Sequence, residues 1–309
     1  MNFLTMEYFL AVAQEKNFTR AAARLNITQQ TLSAHIGALE KELGCRLFDR
    51  TKPLRLTYAG EARLRYAGEI TLLNHSLQKE FADLRAQSRG RLRLGLAHTR
   101  GRVLLPDILE AYHRQYPGIE VEIREGQNRQ LPQRLKKGEL DLIIAIPRTE
   151  EPEIVWEDFY WEKILLMGSR NLLRRVLGKE AEEIQKELDQ RGDLSPLKNC
   201  PFLLGAAGDI NADVGGALLR QSGVIPLVSA RSENMETLLE LCLREIGLCF
   251  CPDTLARRVL TPEQRREVFG FSLGDQARYL LRFGTLKQRY QPREIQDFIA
   301  LCREIRPLG

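Results

Sequence analysis

Apolar residues near the start of the chain recur at helical spacing in three successive segments. The pattern predicts short helices over residues 3–15, 20–25 and 29–43. Thr19 and Thr28 are predicted N-caps of the second and third helices, because a threonine oxygen can accept from a free backbone N–H of the first turn. Gly44 is predicted to end the third helix. Its inward face is predicted to consist of Leu32, Ile36, Leu39 and Leu43.

Two short helices joined by a break of three or four residues are typical of the helix-turn-helix motif. The second of the pair lies in the DNA major groove, with its N-terminal side chains toward the base edges. The candidate base-contacting residues are therefore Gln29, Gln30, Thr31, Ser33, Ala34 and His35. On this pattern alone, a polar surface helix that contacts no DNA is the alternative interpretation.

Residues 18–25, 29–44 and 47–60 together resemble the DNA-binding domain of the LysR family of transcriptional regulators. The resemblance implies a winged helix-turn-helix over residues 1–58 that binds double-stranded DNA. It also implies DNA contact by residues of the second helix and the wing, which are Thr19, Arg20, Arg50, Lys52 and Arg55. The sequence departs from the family at Gln30, Ala34 and Gly37, which predicts an unusual operator.

From Tyr58 to about Ser88, apolar residues again recur every three or four positions, at Ile70, Leu73, Leu77, Phe81 and Leu84. The pattern predicts one amphipathic helix about 45 Å long. An apolar stripe of this length is covered most simply by the same helix of a second subunit. We therefore expect residues 59–89 to form a linker helix that dimerises the protein, with a hinge at residues 88–90. Packing on its own domain is the alternative. The resemblance implies that dimers pair into tetramers.

After residue 90, strand-like runs alternate with helical segments, which predicts an α/β domain with a largely parallel sheet. The predicted strands are 92–97, 119–123, 140–146, 202–204, 226–229, 247–251 and 279–284. They form two Rossmann-like lobes, lobe I at about 90–166 and 269–309 and lobe II at about 167–268. The arrangement resembles the effector domain of LysR regulators and, more distantly, periplasmic binding proteins. Residues 169–200 are longer than the usual family segment.

Ligands in open α/β sheets bind beyond the carboxyl ends of the strands. The loops that follow the predicted strands supply the candidate effector-binding residues Thr99, Arg100, Gln127, Asn128, Gly205, Ala206, Ala207, Asn234 and Met235. Residues 97–102 are predicted to be a loop just before a helix, whose N-terminus favours an anion. Arg100 can pair with a carboxylate. We therefore expect a small anionic effector.

Composition narrows the function classes. The first 90 residues hold 13 lysines and arginines against nine acidic residues, which accounts for +4 of the net charge of +5 and suits a phosphate backbone. The 309 residues contain no Gly-rich phosphate loop, no Gly-x-Ser-x-Gly motif and no paired Cys/His ligands. We therefore expect that the protein is not an enzyme and that it binds no cofactor and no metal. Without an export signal or an apolar span we expect a cytoplasmic protein rather than a solute-binding protein. RNA polymerase is a further candidate partner, and redox sensing through Cys200 is an alternative to effector binding.

Overall fold

The computed structural model describes residues 3–51, 53–84, 90–149, 151–206, 208–287 and 290–305. Contacts divide the chain into two units, residues 1–85 and residues 86–309. The first unit is built from helices α1 (Phe3–Glu15), α2 (Phe18–Arg24), α3 (Gln29–Leu43) and α4 (Tyr58–Leu84) and from strands β1 (Phe48–Asp49) and β2 (Arg55–Leu56). The two strands pair antiparallel as a wing. The predicted winged helix-turn-helix is confirmed.

The core of the first unit is an aromatic and aliphatic cluster between α1, α3 and the wing. Phe9, Leu32, Ile36 and Phe48 are fully buried, and the rings of Phe9 and Phe48 lie 5.3 Å apart. The inward face predicted for α3 is confirmed for its first three residues. It is wrong for Leu43, the last residue of the helix, which is 44% exposed.

The cap of α2 differs from the prediction, whereas both ends of α3 agree with it. The Asn17 side chain accepts from Arg20 N at 3.1 Å, so α2 begins at Phe18 and Thr19 lies inside its first turn. Asparagine ranks above threonine as an N-cap. Thr28 caps α3 by accepting from Thr31 N at 3.1 Å, and Gly44 ends it at φ 66°.

The long helix α4 packs its first half on the first unit and leaves apolar residues exposed in its second half. Ala67 is buried and Ile70 packs against the same core cluster. Further along, Leu73, Leu77 and Phe81 are exposed, and their spacing of four residues places them on one face. The helix is described to Leu84, so its predicted extension to Ser88 lies outside the described residues. Of the predicted hinge at residues 88–90, the structure describes Gly90, which begins a strand.

The second unit is an α/β domain. Its strands are β3 (Gly90–Leu96), β4 (Ile119–Glu125), β5 (Leu142–Ala145), β6 (Ile154–Ser169), β7 (Pro201–Gly205), β8 (Leu227–Ser232), β9 (Leu248–Pro252), β10 (Val268–Ser272) and β11 (Arg278–Leu286). Its helices are α5 (His98–Gln115), α6 (Leu131–Lys136), α7 (Arg170–Leu177), α8 (Ala181–Arg191), α9 (Ile210–Gln221), α10 (Met235–Leu243), α11 (Asp253–Val259), α12 (Pro262–Glu267) and α13 (Arg293–Ile305).

The sheet order shows how the two lobes are joined. Within the described residues the strands run β4-β3-β5-β11-β6-β9-β7-β8, with β10 beside β6. The pairs of β3 with β4 and β5 are parallel, and so are those of β7 with β8 and β9. The antiparallel strands β6 and β11 lie between these two groups. β6 pairs with β11 up to Lys163 and with β9 from Ile164 onward, so the two lobes meet inside a strand and share one sheet.

Residues 169–200 form structure that supports lobe II. They contain α7, α8 and a short 3-10 turn at Ser195–Leu197. Leu173, Ile184 and Leu197 from these elements are fully buried in the main core of the unit. The residues of this long segment therefore contribute to the core of the second unit.

Candidate DNA interface and effector cavity

Helix α3 presents a polar surface at its N-terminal half. Gln29, Gln30, Thr31 and Ala34 are exposed, and Ser33 is half-buried. His35 is also half-buried, and its ring packs edge-on against Tyr8 at 5.1 Å between centroids. Most of the predicted base-contacting residues thus lie on one accessible face, whereas His35 is partly engaged by α1.

Residues of α2 and the wing flank this face. Thr19 and Arg20 are exposed, and Arg20 Nη2 donates to the carbonyl oxygen of Glu15 at 2.7 Å. Arg55 is exposed on β2, whereas Lys52 lies outside the described residues. Arg50 lies 3.3 Å from a carboxylate oxygen of Glu40, so part of its charge is already compensated.

Sequence analysis missed Glu40, which joins the recognition helix to the wing. One of its carboxylate oxygens accepts from Leu47 N at 2.8 Å and from Phe48 N at 3.2 Å. The other oxygen contacts Arg50. A glutamate on an exposed helix face is usually a solvated charge, and only the folded chain shows that this one positions the wing.

A cavity of about 330 Å³ lies between the two lobes of the second unit. Of the predicted effector residues, Thr99, Arg100, Gln127, Asn128 and Ala206 line it. Residues from the shared strands and from lobe II that were not predicted complete the wall, among them Glu162, Asp209, Asn211, Thr254 and Tyr279. Glu233, next to the predicted Asn234 in the same loop, lines it as well. This volume suits a small metabolite.

The predicted loop at residues 97–102 is wrong from His98 onward, because α5 begins there. Ala97 is its N-cap and supplies no side-chain hydrogen bond. The backbone N–H groups of Arg100 and Gly101 both bond to the carbonyl of Ala97. Thr99 and Arg100 are therefore held in the rigid first turn of a helix at the edge of the cavity.

Arg100 is buried, with 5% of its surface exposed. Its Nη1 donates to Asn128 Oδ1 at 3.3 Å, and its Nε has no hydrogen-bond partner among the described residues. Burial opposes its charge, but the facing Tyr279 and Glu162 outweigh burial and raise the pKa of Arg100. Arg100 is thus a permanent cation whose Nε is a buried donor without a partner among the described residues.

Glu162 compensates this cation from the floor of the cavity. It is 3% exposed and lies on β6. Tyr279 Oη donates to its Oε2 at 2.6 Å, and Tyr160 Oη and Thr254 Oγ1 both donate to its Oε1. Burial and the charge of Glu162 raise the pKa of both tyrosines well above the usual value, so their hydroxyls remain donors at neutral pH.

Three predicted effector residues of lobe II do not line the cavity. Gly205 packs against α9, where an added Cβ would lie 3.1 Å from the Ala212 Cβ. The Asn234 side chain caps α10 by accepting from two backbone N–H groups, and Met235 is buried in the core. Ala207 lies outside the described residues. The side chain before Asn234, Glu233, lines the cavity instead, because the cap turns Asn234 toward its own helix.

Ion pairs connect the two lobes of the second unit. Arg102 Nη1 lies 2.9 Å from Glu236 Oε2. Arg258 makes two hydrogen bonds of 3.0 Å to Asp107, and Arg148 bonds to Asp213 and to the carbonyl of Gly208. These pairs join α5 and residue 148 of lobe I to α9, α10 and α11 of lobe II.

The cysteines do not form a reactive group. Cys45 is exposed and the other five cysteines are buried. Burial raises the pKa of Cys200 to about 11, and a protonated thiol reacts slowly with oxidants. The structure thus gives no support to redox sensing through Cys200.

Metal-binding clusters and membrane spans are both absent from the described residues. No group of three or more His, Cys, Asp or Glu side chains there is placed to hold a metal ion. No helix in the described ranges combines the length and apolarity needed to cross a membrane.

Comparison with known proteins matches both units. Residues 3–61 match the bacterial regulatory helix-turn-helix proteins of the lysR family, and residues 85–306 match the LysR substrate binding domain. The chain is 28% identical over 312 residues to the HTH-type transcriptional regulator YcgK of Bacillus subtilis (strain 168), covering 98% of this chain and 94% of that protein. It is 32% identical over 202 residues to the transcriptional dual regulator OxyR of Escherichia coli (strain K12), covering 56% of this chain and 66% of that one.

Solved structures share the fold. A full-length OxyR variant from Pseudomonas aeruginosa superposes with a TM-score of 0.69 at 22% identity, covering 99% of this chain and 96% of that one. CbnR in complex with its target DNA superposes with a TM-score of 0.61 at 23% identity, covering 98% of this chain and 99% of that one.

Proposed function

The chain belongs to the LysR family of transcriptional regulators, and we propose that a small effector bound in the cavity between its lobes controls its action on DNA. The family makes the protein a DNA-binding transcriptional regulator with an effector-binding domain. The observation that carries the proposal is Arg100, buried in the cavity wall with an unused Nε donor. An effector with an anionic group satisfies that donor and benefits from the N-terminus of α5.

An effector in this position affects the arrangement of the lobes because it contacts both walls. Thr99 and Asn128 come from lobe I, and Ala206 and Asn211 come from lobe II. A ligand that binds one arrangement of the lobes more tightly shifts the population toward it. The effector thereby changes how paired DNA-binding units sit on an operator.

Thermal unfolding of the full chain tests the effector site. We expect a screen of small carboxylates, phosphates, amino acids and aromatic acids to contain ligands that raise the Tm, since a ligand at 100 times its Kd adds about 2.7 kcal/mol of stability. Thr99→Val, which removes one hydroxyl from the cavity, should weaken such a ligand. Thr237→Val is the matched control, because Thr237 is exposed on α10 and does not line the cavity. Equal effects of the two variants would contradict the proposed site.

We propose that the exposed face of α3 contacts bases and that the wing contacts phosphate. Arg55 has an exposed side chain there. Each phosphate contact removed lowers the slope of log K against log salt by about one. We therefore expect Arg55→Ala to reduce that slope by about one on any duplex. Arg266→Ala, an exposed arginine of the second unit, serves as control, and an unchanged slope in Arg55→Ala would exclude the contact.

We propose that the protein is a homodimer through α4, whose Leu73, Leu77 and Phe81 form an exposed apolar stripe. A partner helix would bury this stripe in the manner of a coiled coil. Leu77→Glu should yield monomers in light scattering, whereas Leu77→Met should remain dimeric. Monomeric parent protein would refute the interface, and pairing of dimers into tetramers stays a prediction.

The relatives are transcriptional regulators, and we propose that this protein likewise acts by binding, without catalysis and without a cofactor besides the effector. We propose that it acts on DNA in the cytoplasm. RNA polymerase stays a predicted partner, which a pull-down with purified polymerase would test.

A further inference from the structure

The charges that line the effector cavity are mostly negative. Its acidic residues are Glu125, Glu162, Asp209 and Glu233, against the single guanidinium of Arg100. Glu162 and Arg100 already compensate each other inside the wall, and Glu125 lies 2.8 Å from His98 Nδ1. The carboxylates of Asp209 and Glu233 on lobe II are left without a positively charged partner among the lining residues. A purely anionic effector would therefore meet unfavourable charge on the lobe II side.

Two buried polar atoms without partners lie on opposite walls and have opposite character. Arg100 Nε in lobe I is a donor, and Asn211 Oδ1 in lobe II is an acceptor. Their residues are 5% and 4% exposed. A buried polar atom without a hydrogen bond costs about 1–3 kcal/mol, so a ligand gains affinity by supplying an acceptor to one wall and a donor to the other.

The helix N-termini at the cavity differ between the lobes in the same way, with free donors in lobe I and an acceptor in lobe II. α5 in lobe I begins without a side-chain cap, so its N-terminus stays available to an acceptor. α9 in lobe II is capped by Asp209, which accepts from Asn211 N and Ala212 N. Lobe I thus offers donors and positive potential, whereas lobe II offers acceptors and carboxylates.

We propose that the effector is bipolar: it carries a carboxylate or similar acceptor toward Arg100 and Thr99, and a protonated amine toward Asn211, Asp209 and Glu233. Small amino acids and related amino-carboxylates have this chemistry. The proposal rests on the effector site proposed above and specifies its ligand class. A bipolar ligand also bridges the lobes through charge at both ends, which supports coupling to their arrangement.

The test uses matched pairs of probes that differ only in the amine, with the full chain. The pairs are L-alanine with propionate, L-glutamate with glutarate, L-phenylalanine with 3-phenylpropionate and 4-aminobutyrate with butyrate. Thermal shift identifies binders and isothermal titration gives their Kd. We expect at least one amine-bearing member to bind at least about tenfold more tightly than its amine-free partner, because the partner leaves Asn211 Oδ1 unpaired and adds no positive charge.

A variant then assigns the amine to lobe II. Glu233→Gln keeps the size of the side chain and removes its charge, and Glu233 is exposed at the rim, so the fold should be unaffected. We expect the amine-bearing probe to bind about fivefold more weakly to it, near the upper value for an accessible ion pair. Binding of any amine-free carboxylate should stay equal or improve. Glu304→Gln is the matched control, because Glu304 is an exposed glutamate of α13. It should change the Kd of neither the amine-bearing probe nor the amine-free carboxylate.

The outcomes separate the two proposals. If only amine-free carboxylates raise the Tm, the bipolar effector is wrong while the effector site stands. If amine-bearing probes bind but Glu233→Gln and Glu304→Gln behave alike, the assignment of the amine to lobe II is overturned. If no member of any pair raises the Tm, the bipolar ligand class is refuted, and the broader screen decides the effector site separately.

Discussion

Glu162→Gln tests whether the effector cavity depends on two buried opposite charges in its wall, the carboxylate of Glu162 and the guanidinium of Arg100. The carboxylate of Glu162 accepts from Tyr279 at 2.6 Å and from Tyr160 at 3.3 Å, and it faces the cation of Arg100. Glutamine keeps the shape but removes the negative charge. Its amide NH₂ also cannot accept from a hydroxyl. The variant therefore leaves Arg100 buried without an opposing charge.

The expected loss is large. Glu162 and Arg100 are 3% and 5% exposed, and removal of one of two opposite buried charges costs about 3–5 kcal/mol because the other is left uncompensated. For a unit the size of residues 86–309, each kcal/mol lowers the Tm by about 2–4 °C. Glu162→Gln should thus lower the Tm of this unit by roughly 6–20 °C.

Calorimetry of the full chain measures this loss, with Glu304→Gln as an exposed control that should shift the Tm by less than about 2 °C. The double variant Glu162→Gln with Arg100→Met removes both charges. It should recover at least half of the single loss, because no uncompensated charge is then buried. A single loss under about 3 °C, or a double variant as unstable as the sum of the two single variants, would refute the argument that these two buried charges compensate each other.

Four further predictions concern other parts of the chain. Thr28→Ala should destabilise the first unit by about 1 kcal/mol in hydrogen exchange, since it removes the cap of α3, whereas Thr28→Ser should not. Cys45 should be the one thiol that reacts rapidly with a disulfide reagent in the native protein, and Cys45→Ser should remove that phase. Since burial raises the pKa of Cys200 from 9.0 to about 11, the folded state should lose stability as pH rises from about 9 to about 11, seen in pH-dependent Tm values. Arg258→Ala should lower the Tm by less than about 4 °C, since its pair with Asp107 is half-exposed; a larger loss would show that this pair controls the contact between lobes.

Local patterns in the sequence determined the first unit almost completely. Helical periodicity, the Thr28 cap and the Gly44 stop predicted α3 with both ends correct, because each involves residues within one or two turns. The same locality explains the error at α2. Asn17 and Thr19 are both good caps, and only the folded backbone shows that Asn17 accepts from Arg20 N.

The tertiary structure decided most of the effector cavity. Chain order predicted which strand ends converge, so Thr99, Arg100, Gln127, Asn128 and Ala206 were found. Glu162 lies in a strand segment between Trp161 and Lys163, where its burial depends on pairing with β11, more than 100 residues away in sequence. Asn211 likewise lines the cavity from the first turn of α9, which Asp209 caps. Periodicity describes which face of an element is apolar, whereas the charge that a cavity presents depends on side chains that long-range packing brings together.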